Sequence, residues 1–165
     1  MTGTVLLVCG SRSLADTDAA SWWAQSTLGA HLLHLAPGDV VLSGGADGPD
    51  TWARIVAHGR RLAVVEYLKD GVRLDWRPGG DPERCSRRSR WCEGLPDPDP
   101  TMAPLVRNLA MLDALATAQR RGFAVRVLGL VDTGSRTRGA DHTLRHATRR
   151  GYPVERLTWP PPAGV

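Results

Sequence analysis

Residues 41–53 read VLSGGADGPDTWA: an apolar run, a glycine-rich polar turn, then residues suited to a helix. Gly44, Gly45 and Gly48 permit backbone angles that other residues reach only with strain. Pro49 suits a first helical turn, where its missing N–H costs nothing. The chemistry such a turn offers is anion binding, because unpaired backbone N–H groups at a helix start favour negative charge. Two further loops share this character, Gly10-Ser11-Arg12 and Gly134-Ser135-Arg136-Thr137-Arg138-Gly139. Their arginines add planar forks of donors matched to phosphate. The predicted ligand-binding residues of the three loops are Gly10, Ser11, Arg12, Ser43, Gly44, Gly45, Asp50, Gly134, Ser135, Arg136, Arg138 and Gly139.

Other reactive side chains give less. Cys9, Cys85 and Cys92 make no disulfide framework, and the six-residue step between the last two matches no common zinc spacing. His142 and His146 are four apart on one helix, but no glutamate lies between them and no third ligand is visible, so no metal is expected. No cofactor is expected either.

The elements that position these loops alternate between strand and helix. Thr4–Cys9 reads as a first strand, and Asp16 as the cap of a helix reaching His34 with Trp22, Leu28 and Leu32 among its apolar positions. Asp39–Ser43 is a second strand, followed by a helix from Pro49 to Gly59, and Leu62–Leu68 is a third. A long helix spans Ala103–Arg121 with Leu105, Leu109, Leu112 and Ala116 on one stripe, and Gly122 ends it in a left-handed cap. Ala124–Val131 is strand four, Gly139–Arg150 a helix closed by Gly151, and Val154–Leu157 a short last strand. The predicted fold class is α/β, a Rossmann-like doubly wound parallel sheet of about five strands. The right-handed crossover rule favours the order 3-2-1-4-5, which reverses direction beside strand one and gathers the three glycine loops at one crevice.

A chain of 165 residues is one domain, here 1–159, with an irregular tail over 160–165. The stretch 77–102 carries a basic cluster from Arg84 to Arg90, Trp91 and the acidic run Pro96-Asp-Pro-Asp-Pro100, and reads as an inserted irregular loop. The 42% apolar and 23% charged content is that of a globular domain rather than a disordered chain. The net charge is +4, carried almost wholly by arginine because Lys69 is the only lysine. That balance favours anionic ligands. With no signal-like N-terminus and no apolar run near the ~20 residues that span a bilayer, a cytoplasmic location without membrane contact is expected.

The order of GSR, SGGADGPDTWA, the pair Asp75-Trp76, RNLAM at 107–111 and SRTRGAD at 135–141 resembles the SLOG superfamily, in particular its small YspA-like branch. The pattern covers most of the chain outside 77–102 and the tail. Relatives in that superfamily include cytokinin-activating phosphoribohydrolases, molybdenum-cofactor carrier proteins and the DNA-processing protein DprA. The resemblance implies a nucleotide-derived small-molecule ligand and a homodimer, and the apolar content of the first and third long helices, including Trp22-Trp23 and Leu105–Leu115, supports the dimer. It adds Arg107 and Asn108 to the ligand-binding set and gives Arg107 a part in catalysis. In the hydrolases a PGGxGTxxE loop holds phosphate and supplies a glutamate. Here Gly139 and Ala140 stand where Gly-Thr would be, His142 and Thr143 stand near the expected glutamate, and Asp141 is the nearest carboxylate. Cleaving an N-glycosidic bond passes through an oxocarbenium-like state that a carboxylate stabilises while water attacks. Asp141 is the catalytic candidate, beside Asp47, Asp50 and Asp75, each of which also reads as a turn or helix-start residue. Three readings stay open: a nucleotide-derivative binder with weak phosphoribohydrolase-type activity, a DprA-like nucleic-acid-binding module, and a subunit that acts only by association.

Overall fold

Strand β1, Thr4–Gly10, is an apolar run whose alternate side chains enter two different cores, so it must be central. Leu6 and Val8 face one side, Val5, Leu7 and Cys9 the other. The computed structural model describes residues 3–68, 73–78, 82–84, 104–136 and 138–164. After β1 come a short 3-10 turn, Arg12–Ala15, and helix α1, Asp18–Leu32. Strand β2 is Val40–Ser43, α2 Pro49–Gly59 and β3 Ala63–Tyr67. Two short strands follow, β4 (Arg73–Trp76) and β5 (Pro82–Arg84). Helix α3 is Pro104–Arg120, β6 Ala124–Asp132, α4 Gly139–Arg149 and β7 Val154–Trp159.

Among the described residues the sheet runs β5-β4-β3-β2-β1-β6-β7. The five strands from β3 to β7 in that row are parallel and stand in the expected order. The outer pair corrects the expectation of about five strands: β4 is antiparallel to β3, and β5 to β4. Leu74 and Trp76 lie opposite Glu66 and Val64, so the short RLDW segment continues β3's alternation. Strand β5 falls inside the stretch expected to be irregular, and its proline sits at the first position of an edge strand, where a missing donor is tolerated. The basic cluster beyond Arg84, with Trp91, Cys85, Cys92 and the acidic proline run, lies outside the described residues.

Helices α1 and α2 cover one face of the sheet, and α3 and α4 the other. Leucines such as Leu7 and Leu128 are almost fully buried, each contributing roughly 1.5–3 kcal/mol by leaving water. Gly129 in β6 has no side chain, which lets Leu144 of α4 press onto the strand and brings the helix start close to β1. Gly122 and Gly151 end α3 and α4 with φ of 87° and 76°, as their positions predicted.

Three local expectations are corrected. Thr17, not Asp16, caps α1: its extended backbone lets Oγ1 accept the Ala20 N–H at 3.2 Å, while Asp16 closes the preceding turn. Trp22 is 73% exposed, and Trp23 instead packs against Trp159 with the rings tilted by 44° and their centroids 5.7 Å apart. The buried stripe of α3 is Arg107, Asn108, Met111, Leu112, Ala114, Leu115 and Ala118, with Leu105 left exposed. That helix is turned so that its first buried residues are polar. No helix among the described residues is long and apolar enough to cross a membrane.

Candidate ligand-binding crevice

The loops after β1 and β2 and the first turns of α2, α3 and α4 meet at the carboxyl ends of the parallel strands. Gly10 ends β1 where Pro49 of α2 crosses it, and any Cβ there would collide with the proline ring. Ser11 then clips the loop to β6: its N–H donates to the Leu130 carbonyl at 2.9 Å, and its Oγ accepts the Asp132 N–H at 3.0 Å.

The β2 loop is shaped by Asp50. From the first turn of α2 its Oδ2 accepts the N–H groups of Gly44 at 3.1 Å and Ala46 at 3.3 Å. Thr51 adds bonds from both its N–H and its hydroxyl to the Ala46 carbonyl. Gly45 and Gly48 take positive φ, which makes glycine the fitting residue at both turns. Asp50 is buried, and burial raises its carboxyl to about 6; the two amides and the Arg107 charge oppose that rise.

Arg107 is 5% exposed at the start of α3. A Cβ on Gly44 would lie 3.0 Å from both the Arg107 guanidinium carbon and Asp50 Oδ2, so the bare glycine is what lets the two charged groups close over the loop. The guanidinium carries five N–H donors. Among the described residues it makes two long hydrogen bonds to a single atom, from Nε at 3.4 Å and Nη2 at 3.3 Å to Asn108 Oδ1. Burial lowers its proton affinity, Asp50 raises it, and the nearby Arg12 charge lowers it further.

Two cavities of similar size open on this arrangement. One, of about 220 Å³, lies between Cys9–Arg12, Asp50 and the starts of α3 and α4 at Leu105, Asn108, Gly139 and Ala140. The other, of about 210 Å³, lies over Gly44, Gly45 and Asp47 against Leu68. Arg12, Ala46 and Arg107 line both. Burial pushes the Cys9 thiol far above its usual range, so it meets the crevice as a small apolar group rather than a nucleophile.

The sequence-predicted residues therefore divide. Gly10, Ser11, Arg12, Asp50, Arg107, Asn108 and Gly139 line the first cavity, and Gly44 and Gly45 the second. Ser43 is fully buried below its loop, opposite Glu66 in the strand register. Ser135 and Arg138 line neither cavity. They belong, with Asp141, to a separate groove of about 660 Å³ between α4, β7 and the β6–α4 loop. Gly134 and Arg136 line none of the three. The cause is a set of bonds that draws this loop toward β7. Thr133 donates from both N–H and Oγ1 to the Trp159 carbonyl at 3.0 Å, and the Asp132 carboxylate accepts from Gly134 N–H at 2.9 Å and Ser13 Oγ at 2.6 Å. Asp141 is committed to Arg156, whose Nε and Nη2 stand 3.2 and 3.1 Å from Oδ1.

Sequence reading passed over Glu66, whose carboxylate lies under Gly45. It is 3% exposed, accepts from Trp76 Nε1 at 2.8 Å and pairs with Arg54 Nε at 3.2 Å, while Arg54 stacks over Trp76. Burial raises its carboxyl despite these partners. The available signal was one acid inside the apolar run AVVEY. Leu68 and Leu105, which wall the two cavities, carried no such signal.

No family model and no curated protein matches the chain. Among solved structures it is similar to the X-ray structure of DNA processing protein A (DprA) from Streptococcus pneumoniae, at 16% identity and a TM-score of 0.40. The match covers 93% of this chain and 58% of that one, so the chain spans less than two thirds of DprA.

Proposed function

We propose that this chain binds a nucleotide-derived, phosphate-bearing small molecule in the crevice walled by Arg12, Arg107 and the glycine loops, as the resemblance to the YspA-like branch of the SLOG superfamily suggests. The observation that carries the reading is Arg107. A buried guanidinium is costly unless its donors and charge are matched; here Asp50 supplies a nearby opposite charge, but among the described residues the bonded acceptor is one amide oxygen at 3.3–3.4 Å. Arg12 stands close enough to repel it, so an anion between the two relieves both. The first turn of α4 adds backbone N–H groups on the same wall.

Binding without turnover is the favoured form of this reading. Asp141 faces the outer groove and is occupied by Arg156. Asp50 is spent on holding the β2 loop. The test is calorimetric titration with AMP at fixed salt. Arg107→Ala removes charge-assisted hydrogen bonds and lowers affinity by about ten- to a hundredfold, or 1.5–3 kcal/mol. The reading fails if no nucleotide binds in an Arg107-dependent way. Tighter binding of a single-stranded oligonucleotide, falling steeply with salt, would instead favour the nucleic-acid-binding alternative.

A further inference from the structure

Strand β7 ends the sheet, and its two faces differ. On one face α1 covers it: Trp23 packs against Trp159, His31 Nε2 stands 3.1 Å from Glu155 Oε1, and Leu157 packs on the core beneath that helix. On the other face lies the open groove of about 660 Å³ between β7 and α4. Its apolar lining is Val131, Leu144 and Val154, and its guanidiniums are those of Arg138, Arg145 and Arg156. The acids there are already held, Asp132 by Ser13 and Gly134 and Asp141 by Arg156. Arg138 and Arg145 are exposed, and their side chains have no hydrogen-bond or ion-pair partner among the described residues. Uncommitted positive charge thus stands beside apolar surface.

The backbone of β7 offers the second half of a site. Pro153 and Trp159 turn their carbonyls to β6, accepting from Val127 N–H at 2.9 Å and Thr133 N–H at 3.0 Å. Main-chain groups alternate sides along a parallel strand, so Val154, Arg156 and Thr158 present their N–H and C=O groups at the open edge. By the same alternation their side chains share the groove's face. Prolines flank this run at 153 and 160, and none interrupts it. A segment laid along β7 is fixed by these main-chain groups, and every second side chain of it hangs over the arginines. Nucleic acid can meet the charge but cannot extend the ladder.

We propose that β7 and the arginine-lined groove form a docking site for an extended acidic segment of a partner protein, added to the sheet as a further strand. Its alternate carboxylates meet Arg138 and Arg145, and their methylene stems lie over Val154. The site is separate from the crevice and does not depend on what the crevice binds.

The experiment is fluorescence anisotropy with a labelled peptide of alternating glutamate and threonine, its lysine–threonine counterpart and a single-stranded oligothymidylate. The proteins are the wild type, Arg138→Ala/Arg145→Ala and Thr158→Pro. Because the Thr158 N–H faces outward, proline there removes no bond to β6. The glutamate peptide is expected to bind the wild type roughly tenfold or more tighter than the lysine peptide, and each variant to weaken it about tenfold. A glutamate peptide N-methylated at every residue keeps its charge, loses its donors and repeats the edge test on the unaltered protein. It is expected to bind about tenfold more weakly. No measurable binding of the glutamate peptide at millimolar concentration overturns the inference, as does equal binding of the two peptides. Binding that resists Thr158→Pro and N-methylation also overturns it. If oligothymidylate then binds more tightly through Arg138 and Arg145, the groove is a nucleic-acid surface instead.

Discussion

The loops after β2 and β6 are spelled alike, SGGADGPD and TGSRTRGAD, yet the fold sends them in different directions. Both follow a buried parallel strand, both carry glycines and both lead into a helix. In the first, an aspartate of the following helix reaches back and gathers the loop amides, so the loop closes over the crevice. In the second, the aspartate ends the strand. Its carboxylate turns Gly134 and ties to Ser13, while Thr133 is bound to the end of β7. Glycine makes a loop permissive, and the side chain that collects the amides decides where it goes.

The largest effect that would break this contrast is the removal of its organiser. Asp50→Ala leaves the Gly44 and Ala46 N–H groups without their partner. At pH 5, where the carboxyl is mostly protonated, the expected cost is about 1–3 kcal/mol in denaturant unfolding, together with loss of nucleotide binding. Full affinity in this variant would show that the loop holds its shape by itself.

Acidity sharpens the same point. The folded-state carboxyl of Asp50 is raised from 3.8 to about 6, so the native state binds more protons than the unfolded chain between those values. The stability this contributes is fully present below about pH 4 and is lost as pH rises through 6. Its size is on the order of 2–3 kcal/mol, at about 1.4 kcal/mol per pH unit. Unfolding midpoints of wild type should therefore fall between pH 4 and 7, and those of Asp50→Asn should fall less. Glu66 is shifted in the same direction and leaves a residual slope in the variant. Equal slopes in the two proteins would place the titration elsewhere.

Gly44→Ala is the next step down. Its Cβ would stand 3.0 Å from the guanidinium carbon of Arg107 and from Asp50 Oδ2. The arginine can yield, because it is the far end of a flexible side chain, so stability changes by less than about 1 kcal/mol. Affinity for a phosphate ligand should fall about tenfold as Arg107 leaves its place. Unchanged affinity would mean that the guanidinium is not where the anion binds.

Much of this architecture was legible in the residues. The apolar runs Val5–Cys9, Val40–Leu42 and Ala124–Val131 carry their own strand signal, and Gly122 and Gly151 mark helix ends locally. What was not legible depends on partners far away in sequence. The β6 loop is held by Trp159 and Ser13, the latter 119 residues from Asp132, and no local pattern announces such bonds. Trp22 and Trp23 are equivalent as letters, and only the packing of Trp159 chooses between them. Leu68 and Leu105 wall the two cavities, yet they read as ordinary core or surface leucines until the sheet order brings them to the crevice.

The smallest effect belongs to the outer groove. The Asp141–Arg156 pair is partly exposed, with side chains 39% and 45% accessible, and solvent screens it. Asp141→Asn should thus change stability by about 0–1 kcal/mol. It should also leave nucleotide affinity untouched, because Asp141 lines the groove outside α4 and not the crevice. A structural ion pair predicts one more result: high salt weakens the wild type slightly and the variant not at all. A catalytic Asp141 predicts something different, release of free base by the wild type that disappears in the variant at constant affinity. Reverse-phase analysis of AMP incubated with each protein separates the two. The geometry here, with Nε and Nη2 of Arg156 both on Oδ1, favours the structural outcome. Base release dependent on Asp141 would show that α4 rotates its first turn toward the crevice when ligand is bound, and the contrast between the two loops would then belong to the unliganded protein alone.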